Sequence, residues 1–137
     1  MFKPVSIALC LTLLGGTAMA QDIEMVIGEQ TYTITLNDND AAKNLASRLP
    51  MTLTFENFGR YERIAYLKPG LTIGKAPRST NPKTGDLTYY IPWGNLAAFV
   101  ADFRESDELV PLGKMGNEAI NALKASGDQP VTLRVRK

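Results

Sequence analysis

The chain has 137 residues, of which 15 are basic and 14 acidic, and it contains no histidine and a single cysteine. The missing histidine excludes serine–histidine and cysteine–histidine catalysis, together with the usual zinc sites, which draw on histidine and cysteine. The near balance of charge, without a long basic run, argues against a nucleic-acid partner.

Residues 1–20 have the pattern of a secretory signal peptide. Lys3 provides a positive start, an apolar stretch follows, and the small residues Ala18 and Ala20 mark a cleavage site before Gln21. The apolar stretch is shorter than the ~20 residues that cross a bilayer, so we expect no membrane anchor after cleavage. We therefore predict a periplasmic or secreted protein with one mature domain at residues 21–137. Cys10 is removed with the signal peptide, so this domain has no disulfide.

The mature domain begins with a predicted β-hairpin, IEMVIGEQTYTITL, in which apolar and polar residues alternate on both sides of the turn GEQ. The stretch NDNDAAKNLASRLP predicts a short helix that Asp38 or Asn39 caps and Pro50 stops. Two further strands are predicted at MTLTFENF and YERIAYL, where strand spacing returns.

Residues 68–86 form a long connection with three glycines and three prolines, in which only LTI has strand spacing. We expect this loop to lie beside the strand that carries Tyr89 and Tyr90. We also expect it to be the most mobile part of the domain, since glycine adds backbone freedom and proline removes donors. Lys75, Arg78 and Lys83 make the loop positive, so we expect it to gate a ligand that carries an anionic group.

The remaining elements are four strands and one helix, with a break at Pro92–Gly94 between the first two strands. LTYYIPW and LAAFVADF predict strands on either side of that break, and ELVPLGKM predicts another. NEAINALKASG predicts a second helix, which Asn117 caps and Gly127 ends, and QPVTLRVRK predicts a last strand. About eight short strands and two short helices, without a βαβ rhythm, predict a mainly β, closed or nearly closed barrel.

The stretch GDLTYYIPWGNLAAFVADF, followed by LVPLGKM, resembles the bacterial cyclophilin-like proteins, and YERIAYL and GKAPRSTNPKTGD are similar to that family as well. The resemblance covers most of the mature chain, and PWGNLA is its most specific part. It implies a closed cyclophilin-like β-barrel of eight strands with a short helix capping each end. This is the fold of the peptidyl-prolyl isomerases without their catalytic motif.

The aromatic cluster around Trp93 has two interpretations at this point. In the structural one, Trp93 covers a barrel end at a Pro-Trp-Gly-Asn corner, and Asn95 bonds neighbouring backbone. In the functional one, the cluster lines a cleft for a peptide or small apolar ligand. The candidate ligand-binding residues are Tyr61, Arg63, Tyr90, Trp93, Asn95 and Phe99.

We predict a monomeric, non-catalytic binding module for a peptide or small molecule, without a metal or cofactor. The alternatives are a divergent prolyl isomerase and an accessory domain that docks on a protein partner. The isomerase depends on Arg63, which by resemblance stands at the catalytic arginine of true cyclophilins, although Glu62 replaces their histidine and their Gln-x-Gly-Asp segment is missing. The competing interpretation of Arg63 is a strand residue on a solvated face.

Overall fold

The computed structural model describes residues 21–137, so the predicted signal peptide and Cys10 lie outside the described residues. The described chain contains nine strands and two helices. The strands are β1 (Gln21–Ile27), β2 (Gln30–Leu36), β3 (Met51–Thr54), β4 (Glu56–Phe58), β5 (Glu62–Tyr66), β6 (Asp86–Tyr90), β7 (Asn95–Phe99), β8 (Leu109–Met115) and β9 (Pro130–Val135). The helices are α1 (Asp40–Ser47) and α2 (Asn117–Ala125).

All nine strands belong to one antiparallel sheet with the order β3-β9-β1-β2-β8-β6-β7-β5-β4. The two outermost strands, β3 and β4, follow each other in the chain and are separated only by Phe55. This bent segment pairs with β9 through β3 and with β5 through β4. The sheet therefore curls into a nearly closed barrel, which leaves little unpaired strand edge.

The core fills the inside of this barrel with alternate strand residues, as the period of two in β1 and β2 predicts. Each helix adds one apolar face to the core, because residues three and four apart lie on the same side of a helix. The buried residues of α1 are Ala41, Ala42 and Leu45, and those of α2 are Ala119, Ile120 and Leu123.

The predicted helix ends are partly correct. The Asn39 side chain accepts a hydrogen bond from the Ala42 amide at 2.9 Å, so Asn39 is the cap of α1. Asn117 does not cap α2, because the chain enters the helix one residue earlier than predicted. Gly116 occupies the cap position, and no side chain caps the first amides. Gly127 follows the end of α2 with a φ of 57°, as its glycine predicts.

The structure has nine strands where the sequence predicted about eight. MTLTFENF is divided at the buried Phe55 into β3 and β4. LTI is not a strand, since its amides bond side chains instead of a ladder. The Leu71 amide donates to the Tyr89 hydroxyl at 3.1 Å, and the Thr72 amide donates to Asn44 Oδ1 at 2.9 Å.

The loop of residues 68–86 is anchored to α1 through its first half. The Lys75 amide donates to Asp40 Oδ2 at 2.8 Å, and Arg48 Nη2 donates to the Gly70 carbonyl at 2.6 Å. Gly74 has a φ of 58°, and a Cβ there would lie 2.4 Å from Asp40 Oδ2. Glycine at position 74 therefore allows the loop to approach α1 closely. The backbone freedom of glycine, taken alone, does not indicate this contact.

Candidate functional site

Strand β7 is buried along its whole length, on both faces of the sheet. Leu96 and Ala98 belong to the barrel core, whereas Ala97 and Phe99 belong to a second apolar cluster. Because successive strand residues point to opposite faces, this second cluster lies on the outside of the barrel. The other members of the cluster are Ile64, Leu109, Tyr90 and Phe103.

The strand register brings polar and aromatic residues together on the same outer face. Directly paired residues of neighbouring strands point to the same side of a sheet. Glu62 pairs with Phe58 of β4 on one side and with Phe99 of β7 on the other. Asn95, four residues from Phe99 in β7, pairs with Tyr90 of β6. The outer face therefore carries a carboxylate, an amide and three aromatic rings within a few strands.

A pocket of about 610 Å³ opens on this face, and we call it the outer pocket. Residues 103–108, which follow β7 and precede β8, form one side of it, and we call them the wall segment. The volume lies within the roughly 300–1,000 Å³ that is typical of small-ligand sites. The other lining residues are Phe58, Glu62, Ile64, Tyr90, Trp93, Asn95 and Leu109.

On one side of the pocket, the Trp93 ring stands nearly at right angles to two neighbouring rings. The Trp93 ring lies 5.3 Å from Phe58 with an interplanar angle of 88°, and 5.6 Å from Tyr90 with an angle of 85°. The tight turn before β7 places Trp93 here, since Gly94 adopts a φ of 69°. Trp93 remains 50% exposed and borders the opening of the pocket.

Asn95 is the most buried polar residue that lines the pocket, with 1% of its surface exposed. Its Nδ2 donates to the Leu96 carbonyl at 3.1 Å, which fixes the orientation of the amide. No donor in residues 21–137 reaches the other amide atom, Oδ1. Buried acceptors are normally satisfied, and leaving one unpaired costs about 1–3 kcal/mol. A residue that lines the pocket therefore holds a buried acceptor without a partner.

The charged lining of the pocket is mainly acidic. Burial raises the pKa of Glu62 above its ordinary value, because the carboxylate loses contact with water. The wall segment adds three further carboxylates and one cation, Arg104. The Arg104 guanidinium lies over the Phe103 ring, 4.6 Å from its centre. Among residues 21–137, ion pairs involve Lys43, Lys114, Arg134 and Arg136, and none includes a pocket carboxylate.

The wall segment is held from behind by the second half of loop 68–86. Thr80 and Ser106 exchange backbone hydrogen bonds of 3.0 and 2.9 Å, and the Phe103 amide donates to the Pro82 carbonyl at 3.0 Å. No residue of loop 68–86 lines the outer pocket. The loop supports the wall segment and is not part of the pocket lining, so the outer pocket lends no support to the expectation that this loop gates a ligand.

The structure brings together three of the six predicted ligand-binding residues, Tyr90, Trp93 and Asn95. Phe99 is fully buried beneath them and stacks on Phe103, with ring centres 5.7 Å apart. Tyr61 contacts the Phe103 ring from the side, at 5.1 Å, and borders a separate shallow depression.

Arg63 lies on the other face of β5, inside the barrel, and is only 3% exposed. Its guanidinium bonds the end of α2. It donates to the Leu123 carbonyl at 3.1 Å, to Ser126 Oγ at 2.9 Å and to the Gly127 carbonyl. Burial lowers the pKa of Arg63 from its ordinary value. The interpretation of Arg63 as a residue on a solvated face is therefore wrong, because the cation compensates the negative end of a helix.

Sequence reasoning missed Glu62, Phe58 and the wall segment as parts of the site. In the sequence, Glu62 stands out only as the residue in place of the cyclophilin histidine beside Arg63, although alternation alone places the two side chains on opposite faces. Which of the two faces outward follows from the pairing of β5 with β7, about 30 residues apart in the chain. The wall segment is visible in the sequence as the acidic stretch RESDE, but no neighbouring residue indicates which surface this stretch covers.

Residues 21–137 contain no group of three or more histidine, cysteine, aspartate or glutamate side chains that could hold a metal ion. Within the same range, neither helix is long and apolar enough to cross a membrane.

Comparisons with known proteins concern the fold. A family model described as the cyclophilin-like family matches residues 25–134. Among solved structures, the chain is similar to the solution structure of the hypothetical protein AF2241 from Archaeoglobus fulgidus. The TM-score is 0.60 and the identity 14%, over 89% of this chain and 99% of that one. At this identity the likeness shows the fold alone. The chain has no match among curated proteins.

Proposed function

Since this chain belongs to the cyclophilin-like family, we propose that it uses the barrel as a scaffold for a binding site. In this proposal the protein is a non-catalytic module that holds a peptide segment or a small molecule in the outer pocket. We further propose that it acts in the periplasm or outside the cell, on the pattern of residues 1–20. The family supplies the fold, and the pocket supplies the argument for a ligand.

The unpartnered Oδ1 of Asn95 is the observation that carries this proposal. A side chain used only for packing would find both of its hydrogen-bond partners or be replaced by an apolar residue. Here the acceptor belongs to a residue that lines a pocket of ligand size, beside three exposed or half-buried rings. A ligand donor that reached this buried oxygen would satisfy it, and the apolar body of the ligand would cover Phe58 and Trp93.

The geometry gives no support to the isomerase alternative through Arg63. Such a mechanism needs the guanidinium to donate to a prolyl nitrogen in an accessible seat. Arg63 instead donates to Asn57 Oδ1 and to the end of α2, on the face of β5 that is turned away from the outer pocket. The protein-docking alternative differs less from the proposed function, because a partner protein that inserts a chain segment into the pocket would be a peptide ligand.

Titration of the Trp93 emission tests the proposed function, because Trp93 is the sole tryptophan. We expect members of a peptide and fragment library to change this emission. Asn95→Ala should weaken binding of those members about tenfold, the value of a good hydrogen bond. Asn121→Ala, which alters an exposed asparagine of α2, is the matched control and should bind normally. A library that leaves the emission unchanged would contradict a ligand site beside Trp93.

A further inference from the structure

We propose that the ligand of the outer pocket presents a cationic group on an apolar stem, in the manner of an arginine or lysine side chain of a peptide. This inference rests on the proposed function and deepens it. It is carried by three independent features of the pocket: the arrangement of its rings, the sign of its charged side chains, and the kind of hydrogen-bonding atom that its lining leaves without a partner.

The rings form the corner of an aromatic cage. Trp93 stands nearly perpendicular to both Phe58 and Tyr90, and all three line the same pocket. Two rings stacked in parallel would bury each other's faces. Perpendicular rings instead leave ring faces and edges exposed to the same pocket. A cation attracted to the negative face of an aromatic ring gains most from such an arrangement, with tryptophan the best partner.

The charges of the lining favour the same guest. Glu62, Glu105, Asp107 and Glu108 contribute carboxylates to the pocket, and Arg104 is the one basic residue in its lining. The Arg104 guanidinium is placed over Phe103, and no pocket carboxylate is in an ion pair within residues 21–137. Glu62 is half-buried, so a cation beside it would be screened by solvent less than one at the open surface.

The unpartnered polar atom buried at the base of the pocket is an acceptor. Asn95 Nδ2 is already used by the Leu96 carbonyl, and Oδ1 is the atom without a partner. Carboxylates are acceptors as well, so a ligand with several hydrogen-bond donors would complement the lining of the pocket. Guanidinium and ammonium groups have donors and no acceptor, which matches this lining.

The expected charge of the ligand is therefore reversed. An anionic guest was expected from Lys75, Arg78 and Lys83 of loop 68–86, but none of these residues lines the outer pocket. The wall segment, which faces the pocket in place of that loop, carries acidic residues at three of its six positions.

Three capped pentapeptides that differ only in the central residue test this inference. The central residue is arginine, its neutral isostere citrulline, or glutamate. Binding is followed by Trp93 emission and by calorimetry at low ionic strength. We expect the arginine peptide to bind at least about tenfold more tightly than the citrulline peptide, with the glutamate peptide weakest.

Two variants test whether the pocket is responsible for the preference for arginine over citrulline. Glu62→Gln should remove most of the advantage of arginine over citrulline. Glu29→Gln, which removes an exposed carboxylate in the turn between β1 and β2, should retain it. N-acetylarginine amide distinguishes the source of the cation: binding as tight as that of the pentapeptide supports a small cationic ligand, and weaker binding supports a peptide.

The outcomes separate the two proposals. If citrulline or glutamate peptides bind at Trp93 as tightly as the arginine peptide, the binding module stands and the cationic ligand is overturned. If none of these peptides binds and the wider library is also silent, both proposals fail. An arginine preference that Glu62→Gln leaves intact also overturns the inference, since the charge would then be read elsewhere.

Discussion

Asn95 and Leu96 are neighbours in β7 and equally buried, yet their side chains have different surroundings. Leu96 packs in the barrel core, whereas Asn95 lines the outer pocket with an unpaired oxygen. An unpaired acceptor costs stability that a purely structural residue would not cost. The position is therefore a place where the requirements of folding and of binding diverge.

Asn95→Ala should consequently change the free energy of unfolding by no more than about 1 kcal/mol, because the loss of packing is offset by removal of the unpaired oxygen. Leu96→Ala should cost about 2–5 kcal/mol, as is usual for a leucine in a core. Urea unfolding of the two variants makes the comparison. A loss for Asn95→Ala as large as for Leu96→Ala would show that Oδ1 has a stabilising partner.

Glu62 makes a second prediction, on stability against pH. Its pKa is raised in the folded chain above the ordinary value of 4.5, because burial disfavours the charged form. Between the two pKa values the folded state binds more protons than the unfolded state, so stability falls as the pH rises through this window. The other charged groups that line the same pocket are Arg104, Glu105, Asp107 and Glu108.

Glu62→Gln should therefore raise the free energy of unfolding at pH 7, and the gain should disappear as the pH falls below the ordinary value of 4.5. Chemical denaturation at several pH values measures it, with Glu29→Gln as the control that should show no such gain. A Glu62→Gln variant less stable than the parent at pH 7 would mean that the carboxylate has a stabilising partner in the folded protein.

Arg63 is a structural residue in this account, and its removal should affect folding more than binding. Arg63→Ala removes the guanidinium donors to the Gly127 carbonyl and to Ser126 Oγ, and one of several donors to the Leu123 carbonyl. It should cost about 2–4 kcal/mol. Arg63→Lys should recover only part of this free energy of unfolding. The ammonium group keeps the positive charge, but it lacks the fixed fork of donors of a guanidinium. Urea unfolding gives these values. A stable Arg63→Ala variant that loses binding at Trp93 would contradict the structural role.

At the scale of elements, the wall segment and loop 68–86 act together. The loop is fixed to α1 by its first half and to the wall segment by its second half, through the Thr80–Ser106 bridge. The wall segment in turn covers the outer face of β7, where Phe103 stacks on Phe99. The shape of the pocket thus depends on a loop that does not line it.

Thr80→Pro should detach the wall, because proline removes the donor to Ser106. We expect a loss of about 1–3 kcal/mol in the free energy of unfolding and a weaker affinity for the arginine peptide. Ser79→Ala is the control, since it removes only the hydroxyl bond to Glu105 and should change both quantities little. Normal affinity in a folded Thr80→Pro variant would show that the wall does not need the loop.

How far the sequence predicts these features depends on how local each one is. The alternation in β1 and β2, the Asn39 cap and the break before β7 follow from a few adjacent residues, and the structure confirms them. The outward face of Glu62 depends on pairing with a strand far along the chain. The anchoring of loop 68–86 depends on side chains of α1, which no composition argument reveals.

At the scale of the whole molecule, charge is balanced in total but divided in space. Lys3 is one of the 15 basic residues, so residues 21–137 contain 14 basic and 14 acidic residues. Paired charges occupy other surfaces, as in Arg134 with Glu24 and Lys114 with Asp86. The outer pocket collects four carboxylates and one guanidinium, so a neutral protein presents a locally negative cavity.

The central claim is that the outer pocket receives a cationic ligand, and amide chemical-shift mapping with the arginine-centred pentapeptide tests it most directly. The account predicts that the largest shifts fall on Glu62, Asn95 and the wall segment. The amides of α2 and of residues 70–76 should remain unchanged, and the citrulline peptide should produce much smaller shifts at equal concentration. Shifts that centre on α2 and Arg63, or the absence of any shift in the outer pocket, would contradict the account.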